Sequence, residues 1–189
     1  MSQILLEANE LILVKKILSV RTHYDFVDVQ GKKLGEADGN LVQNPPEFTI
    51  FDSKDVEIMR LQREQLPKNK DYTFYSYSGE KIGTIKQISG TDAAQFLVEK
   101  EGRQLMKIYP ENSSKSTLES LVSLPTPEEL FRPLLKYIME ADGQIVATVQ
   151  MKWRPTIRNQ VELSIIGNVD HRIVIGGLIV IEQVAVEGE

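Results

Sequence analysis

A repeat of 24 residues organises most of this chain. The segments YDFVDVQGKKLGEA, FTIFDSKDVEIMRL, YTFYSYSGEKIGTI and FLVEKEGRQLMKIY begin at Tyr24, Phe48, Tyr72 and Phe96. Each contains a run of aromatic and β-branched residues, a polar turn and a second run of the same type, which is typical of a β-hairpin. A fifth copy, LKYIMEADGQIVATVQMKW, follows a longer insertion. The repeat therefore predicts a chain built from antiparallel hairpins.

The turn of each hairpin contains a residue that tolerates a positive φ angle. Because closure of a sheet removes its exposed edges, five hairpins and a sixth strand pair predict an antiparallel sheet that closes or folds over itself. A propeller or solenoid needs copies that stack identically, and the insertion before the fifth copy argues against both. The predicted turn residues are Gly31, Asp55, Gly79, Gly102 and Gly143.

The segment HRIVIGGLIVIEQVAV, His171 to Val186, is the most hydrophobic part of the chain. As a helix at ~1.5 Å per residue, Asp170–Gln183 would be about 21 Å long, short of the roughly 30 Å hydrocarbon core of a bilayer. We therefore expect a buried segment around which the protein folds, and not a transmembrane helix. Its isoleucines, valines and glycine pair favour a strand. Its uniform hydrophobicity equally suits a helix buried on every side.

Composition narrows the class of protein. With 189 residues, 41% apolar and 26% charged, the chain fits one globular domain spanning residues 1–189. It has no cysteine, which excludes disulfides and thiolate chemistry. A net charge of −5 argues against nucleic-acid binding. The N-terminal MSQILLEANELILVKKILSV lacks the basic-then-apolar order of a signal peptide, so we predict a cytoplasmic protein, at most peripheral to a membrane.

No set of residues predicts a catalytic or metal centre. His23 and His171 are the two histidines, and no G-x-S-x-G nucleophile motif accompanies them. We expect both histidines on the surface or at a helix end, with Asp170 capping the final segment. These observations predict a non-enzymatic protein without a cofactor or a metal. The alternative is a hydrolase that uses carboxylates near the mouth of a barrel.

The acidic turn FDSKDVE contains three carboxylates, Asp52, Asp55 and Glu57. Clustered carboxylates suit hard cations, but this stretch lacks the 12-residue frame of an EF-hand. Hairpin-turn hydrogen bonding explains Asp52 and Asp55 as well, and we take it as the main interpretation.

Basic side chains and one tryptophan are the candidate contacts for a ligand or a membrane. Adjacent lysines on a strand point to opposite faces, which weakens any basic patch made from Lys15 and Lys16. A solvated surface is the alternative to an anionic-lipid site for these groups. Trp153, ahead of Pro155, would lie where a strand ends, either packed at a rim or anchoring a ligand or bilayer. The candidate contact residues are Lys15, Lys16, Lys68, Lys70 and Trp153.

The hairpin YDFVDVQGKKLGEA followed by FTIFDSKDVEIMRLQRE resembles the tubby C-terminal-like superfamily, in its phospholipid scramblase and LURP-one-related branch. The segment NVDHRIVIGGLIVIEQV resembles the end of that domain, and the likeness spans about Tyr24 to Val184. The resemblance implies a mainly β fold, a closed antiparallel barrel of about twelve strands around a central hydrophobic C-terminal helix from His171 to about Val184. The expected core residues of that helix are Ile173, Ile175, Gly176, Gly177, Ile179 and Val180.

The resemblance also bears on function. The chain has no cysteine-rich palmitoylation segment and no match to tubby's basic phosphoinositide pocket, so no lipid-binding residue is carried over. We expect a non-enzymatic, scramblase-like or LURP-one-related barrel that binds a lipid headgroup, a hydrophobic ligand or a protein partner. A structural or protein-interaction module without a small-molecule ligand is the alternative.

Overall fold

A computed structural model describes residues 4–16, 22–40, 46–64, 71–88, 94–111, 136–152 and 160–187. In these residues the chain forms a short helix, twelve strands and a long helix. The helices are α1 (Ile4–Glu7) and α2 (His171–Glu187). The strands are β1 (Glu10–Lys16), β2 (Thr22–Val27), β3 (Lys33–Asn40), β4 (Glu47–Asp52), β5 (Glu57–Arg63), β6 (Tyr72–Ser76), β7 (Lys81–Ile88), β8 (Gln95–Lys100), β9 (Arg103–Pro110), β10 (Lys136–Ala141), β11 (Gln144–Lys152) and β12 (Gln160–Ile165).

The twelve strands form one closed barrel. Each strand pairs antiparallel with its neighbours in sequence, and β1 closes the barrel by pairing with β12 as well as with β2. At this closure Leu13 of β1 lies opposite Phe26 of β2 on one side and Val161 of β12 on the other. The predicted closed antiparallel barrel of about twelve strands is confirmed, and the sixth strand pair is β1 with β12.

The turns have the backbone conformation that the repeat predicts. The four turn glycines have φ angles of +84°, +83°, +79° and +75°, and Asp55 has +59°. Side chains with a Cβ rarely adopt this region, which explains why glycine or aspartate recurs there. The turn glycines, in chain order, are Gly31, Gly79, Gly102 and Gly143.

The barrel has two unlike ends. Because successive strands run in opposite directions, the five tight turns lie at one end, together with α1 and the start of α2. We call this the hairpin end, and it comprises residues 4–9, 28–32, 53–56, 77–80, 101–102, 142–143 and 166–170. The opposite end, where β1 finishes at Lys16 and β2 begins at Thr22, is called the loop end.

Helix α2 fills the inside of the barrel. Its residues from Ile173 to Val184 are all buried, and Leu178, Ile179 and Val180 have no solvent exposure. The inward side chains of the strands surround it, and the largest fully buried ones are Tyr24, Phe26, Phe48, Phe74 and Phe96. Burial on every side outweighs the weak strand preference of isoleucine and valine, so the segment is a helix.

The glycine pair of α2 allows the wall to approach the helix backbone. A Cβ on Gly176 would lie 3.0 Å from Phe74 Cε1 and 3.2 Å from Met59 Cε. A Cβ on Gly177 would lie 2.9 Å from Ile108 Cδ1. These separations are tighter than ordinary packing contacts, so the absence of side chains sets how closely the helix and the wall pack.

The start of α2 has the predicted cap. Asp170 Oδ1 accepts a hydrogen bond from the backbone N–H of Arg172 at 3.0 Å, and Asp170 also forms an ion pair with the Arg172 guanidinium at 2.6 Å. The helix continues to Glu187, three residues beyond its expected end. No helix of the described residues is long and apolar enough to cross a membrane.

Candidate functional site

Large apolar side chains are exposed at the hairpin end. Val29, Val56 and Tyr77 lie in the turns after β2, β4 and β6, and they are 65%, 52% and 68% exposed. These side chains extend beyond the strands, where no neighbouring strand can cover them. Two others lie at the same end and a third, Ile145, lies at the adjoining start of β11. Together they form what we call the apolar rim: Ile4, Val29, Val56, Tyr77, Ile145 and Ile166.

The outer wall differs from this end. In the described part of the chain, one further large hydrophobic side chain is exposed, Ile88 at the loop end of β7. Single exposed hydrophobic residues are ordinary on protein surfaces, whereas several at one end mark a candidate interaction surface. The apolar rim is therefore the candidate functional site that stands out from the wall.

A cluster of polar side chains lies inside the barrel, between α2 and the first two strands. Lys15 follows Leu11 and Leu13 on the inner face of β1 and donates to Glu182 Oε1 at 3.1 Å. Tyr24 donates its hydroxyl to Glu182 Oε2, and the Gln183 amide donates to the Tyr24 hydroxyl. We call these four residues the inner cluster: Lys15, Tyr24, Glu182 and Gln183.

The inner cluster is a satisfied network. The Glu182 side chain is 2% exposed, and both of its oxygens accept hydrogen bonds. Burial and the neighbouring Glu182 carboxylate raise the pKa of Tyr24, so its hydroxyl stays protonated and donates. Lys15 Nζ also lies 5.7 Å from the centroid of the Tyr24 ring, within reach of a cation–π contact. This arrangement ties α2 to the wall.

A second polar cluster lies on the outer face of the same strands. His23 Nδ1 contacts Asp38 Oδ1, and His23 Nε2 lies 3.4 Å from Asp25 Oδ1 and 3.8 Å from Glu36 Oε2. Lys16 Nζ lies 2.8 Å from Asp25 Oδ2. Within the described ranges, His23, Asp25 and Glu36 are the group able to offer three ligand atoms to a metal. The outer cluster is defined as Lys16, His23, Asp25, Lys33, Glu36 and Asp38.

Charge interactions within the outer cluster shift two ionisable groups. Burial alone would raise the pKa of Asp25, but the Lys16 hydrogen bond and the charges of Lys16 and Lys33 lower it below its usual value. The hydrogen bond from Lys33 to Glu36 raises the pKa of the Lys33 ammonium. Both groups are therefore held in their charged forms.

The acidic turn after β4 follows the hairpin interpretation. Asp52 Oδ1 accepts from the backbone N–H groups of Lys54 at 2.8 Å and Val56 at 3.0 Å. Glu57 Oε1 instead accepts from Arg60 Nε at 2.6 Å. Of the three carboxylates of this turn, Asp52 is therefore occupied by the turn's own backbone and Glu57 by a neighbouring side chain.

The structure separates the two lysines that were candidate contacts. Lys15 points inward to Glu182 and Lys16 points outward to Asp25, as alternation along a strand predicts. Neither belongs to the apolar rim. Lys68, Lys70 and Trp153 lie outside the described residues.

The two histidines occupy different ends of the barrel. His23 lies half-buried on the outer face of the barrel, within the outer cluster. His171 begins α2, where its Nδ1 atom is buried and has no hydrogen-bond partner among the described residues. They form no catalytic pair.

Comparison with protein families matches residues 9–182 to the LURP-one-related model. The chain belongs to the LURP-one-related family. Among solved structures, the LURP-one-related barrel described here is similar to the X-ray structure of a protein from Arabidopsis thaliana, with a TM-score of 0.56 and 12% sequence identity. The similarity covers 93% of this chain and 91% of that one, and at this identity it concerns the fold. No curated protein matched the sequence significantly.

Two features of this LURP-one-related barrel escaped the sequence reasoning. The apolar rim consists of single residues from three turns and from separate elements beside them, so no periodic pattern singles it out. The outer cluster did leave a signal, because His23 and Asp25 alternate on one arm of a hairpin while Glu36 and Asp38 alternate on the other. Pairing the arms through Gly31 places all four on one face.

Proposed function

We propose that this LURP-one-related barrel is a non-enzymatic binding module that contacts a partner protein through its hairpin end. The observation that carries the proposal is the apolar rim, where Val29, Tyr77 and Ile166 are each about two-thirds exposed. Aromatic and aliphatic side chains surrounded by polar groups are the usual make-up of the centre of a protein interface.

A ligand inside the barrel is disfavoured. Helix α2 occupies the interior, and the wall already touches its backbone at Gly176 and Gly177. Binding sites for small hydrophobic molecules are concave and largely pre-formed. A hydrophobic ligand would have to displace the helix that forms the centre of the core.

The charges at the hairpin end favour a protein surface over an anionic one. Lys32 and Lys54 lie in the same turns as Asp28 and Asp55, and Asp142 adds a further acid. Anionic bilayers and nucleic acids attract clustered positive charge, which this mixture does not provide. A protein with an apolar centre and an uncharged or mixed periphery is complementary to the rim.

The positions of the two histidines support a non-enzymatic role. His23 lies toward the loop end of β2 and His171 at the hairpin end, so they share no site. The Glu182 carboxylate is 2% exposed and is engaged by Lys15 and Tyr24, so both of its oxygens already have partners.

The test compares three forms of the full chain as immobilised baits: wild type, the triple variant Val29→Ser/Tyr77→Ser/Ile166→Ser, and the control Ile88→Ser. Ile88 is an exposed isoleucine at the opposite end, so its substitution removes similar apolar area. We expect a protein captured by wild type and by Ile88→Ser to be lost by the triple variant. Purified, that protein should bind the wild-type barrel with the same pattern.

Two further measurements test whether the apolar rim binds something other than a partner protein. Flotation with phosphatidylcholine vesicles, with and without phosphatidylserine, tests a bilayer, and sedimentation equilibrium tests a second copy of the chain. If the triple variant abolishes vesicle binding or self-association, the rim binds a bilayer or a second copy of the chain instead of a partner protein. Capture that is unchanged in the triple variant would overturn the use of the hairpin end.

A further inference from the structure

We propose that the outer cluster binds a divalent transition-metal cation of the zinc class through His23 Nε2, Asp25 and Glu36. The site lies on the outer wall toward the loop end of β2 and β3, away from the apolar rim. It is therefore independent of the proposed function at the hairpin end, and either proposal can fail alone.

The spacing of the three ligand atoms suits such a cation. Zinc bound to imidazole and carboxylate has bonds of about 2.0–2.2 Å, which in a tetrahedron places ligand atoms about 3.4 Å apart. His23 Nε2 lies 3.4 Å from Asp25 Oδ1 and 3.8 Å from Glu36 Oε2. All three ligand atoms lie within 4.8 Å of one another. Small side-chain rotations therefore suffice to bring them around one ion.

The imidazole has the orientation that a metal ligand needs. Its Nδ1 contacts Asp38 Oδ1, and its Nε2 faces Asp25 and Glu36. In the tautomer with the proton at Nδ1, that proton is donated to Asp38 and the Nε2 lone pair is left for a metal. A carboxylate on the far nitrogen of a ligating histidine is a general feature of metal sites, because it fixes the tautomer and the ring plane. Asp38 is therefore assigned as a positioning residue.

The backbone holds the ligands in place. His23 pairs with Asp38 and Asp25 pairs with Glu36 across β2 and β3, and all four alternate with buried residues. Two adjacent strands of a closed barrel thus present the three ligands and the residue that orients them. Sites built on strands are more rigid than sites built on loops.

The Lys16 ammonium group already lies beside two of the three ligand residues. Lys16 Nζ lies 3.2 Å from His23 Nε2 and 2.8 Å from Asp25 Oδ2, so its ammonium would compete with a metal for these two residues. The Lys16 side chain is 47% exposed, and exposed ion pairs are weak. Lys16 can therefore turn into solvent when a stronger cation arrives. Lys33, which pairs with Glu36 and Asp25, competes from the other side.

The ligand types indicate which cation is preferred. One imidazole with two carboxylates favours zinc, cobalt, nickel or copper, whereas magnesium and calcium require more oxygen ligands.

The test is titration calorimetry of the metal-free full chain with zinc chloride. We expect one zinc ion per chain, with no competition from millimolar magnesium or calcium. The substitution His23→Gln should abolish binding, whereas His171→Gln, the matched control at the other histidine, should leave it unchanged. Asp38→Asn should weaken binding about ten- to hundredfold, because the imidazole loses its orientation.

Lys16→Gln provides the sharpest readout. Removal of the competing ammonium should tighten zinc binding several-fold, which an accidental surface site would not show. Circular dichroism checks that every variant is folded, and Glu36→Gln replaces His23→Gln if the latter does not fold. Zinc at about 0.1 mM is far above the Kd of a protein zinc site. No binding at that concentration would overturn the proposal. Equal losses in the His23 and His171 variants would overturn it as well.

Discussion

The inner and outer clusters lie on opposite faces of β1 and β2 and use similar residues in different ways. Residues of α2 complete the inner cluster, and residues of β3 complete the outer one. Each contains a lysine of β1, a ring-bearing residue of β2 and a glutamate. Inside, Lys15 and Tyr24 engage a Glu182 carboxylate that is 2% exposed. Outside, Lys16 pairs with Asp25 while its own side chain is 47% exposed.

The difference shows that solvent, more than residue type, sets the strength of an ion pair. In the interior a charge that loses its partner stays buried and unpaired, which is costly. On the wall the same loss is compensated by water. The inner cluster should therefore stabilise the fold, whereas the outer cluster is free to exchange its partners.

The largest expected effect comes from placing a new charge on the inner side. Gly177→Glu adds a carboxylate where even a Cβ would lie 2.9 Å from Ile108. We expect a loss of about 5 kcal/mol or more in the free energy of unfolding, or failure to fold. Val29→Glu, at an exposed turn, should change stability by less than about 0.5 kcal/mol. Thermal melts followed by circular dichroism compare the two, and a stable Gly177→Glu variant would contradict the buried helix.

Removing one lysine from each cluster tests the comparison directly. Lys15→Met leaves Glu182 buried without its cation, and we expect it to lower the free energy of unfolding by about 3 kcal/mol. Lys16→Met should lower it by less than about 1 kcal/mol. Urea denaturation gives both values. In the double variant Lys15→Met/Glu182→Leu, most of the loss should be recovered; equal effects of the two lysine variants would remove the distinction.

Removing one tyrosine hydroxyl from the interior and one from the outer wall compares the same two environments, with smaller expected losses of stability. Tyr24→Phe removes a buried hydrogen bond to Glu182 and one from Gln183, with an expected cost of about 2 kcal/mol. Tyr109 donates to Glu140 at 2.8 Å on the outer wall, so Tyr109→Phe is the matched control and should cost less than about 1 kcal/mol. The measurement is again urea denaturation, and a larger loss for Tyr109→Phe would contradict the expected order.

Lowering the pH tests how much the outer cluster contributes to the free energy of unfolding, and this effect should be the smallest. The pKa of Asp25 is lowered from 3.8 in the folded state, so its charge stabilises the fold above that value. This contribution, below about 1 kcal/mol, is lost as the pH falls through the lowered pKa. Unfolding curves between about pH 5 and pH 2 should show a smaller pH dependence for Asp25→Asn than for wild type. An identical pH dependence in Asp25→Asn and wild type would show that the charged form of Asp25 does not stabilise the fold.

The hairpins could be predicted from the sequence because turn chemistry is local. A positive φ at Gly31 or Asp55 is recorded in the residue type itself, and the flanking runs follow. The helical conformation of His171–Glu187 could not be predicted from local residue type, because isoleucine and valine favour strands. Only the family resemblance implied a helix there. Burial by the surrounding barrel decides that segment.

The candidate sites were less accessible to sequence reasoning. The inner cluster joins Lys15 to Glu182 across 167 positions, and no single sequence records such a contact. Alternation did predict that Lys15 and Lys16 face opposite sides. The apolar rim depends on the five turns meeting at one end, which follows from the closed topology and from no individual residue.

The position of α2 after all twelve strands has a consequence for synthesis on the ribosome. The wall emerges before the segment it encloses, and β1 must wait for β12 before the barrel can close. Until then the inward phenylalanines have no helix to cover them. Folding is therefore expected to finish only after translation has passed residue 187, and the nascent strands are natural clients for chaperones until that moment.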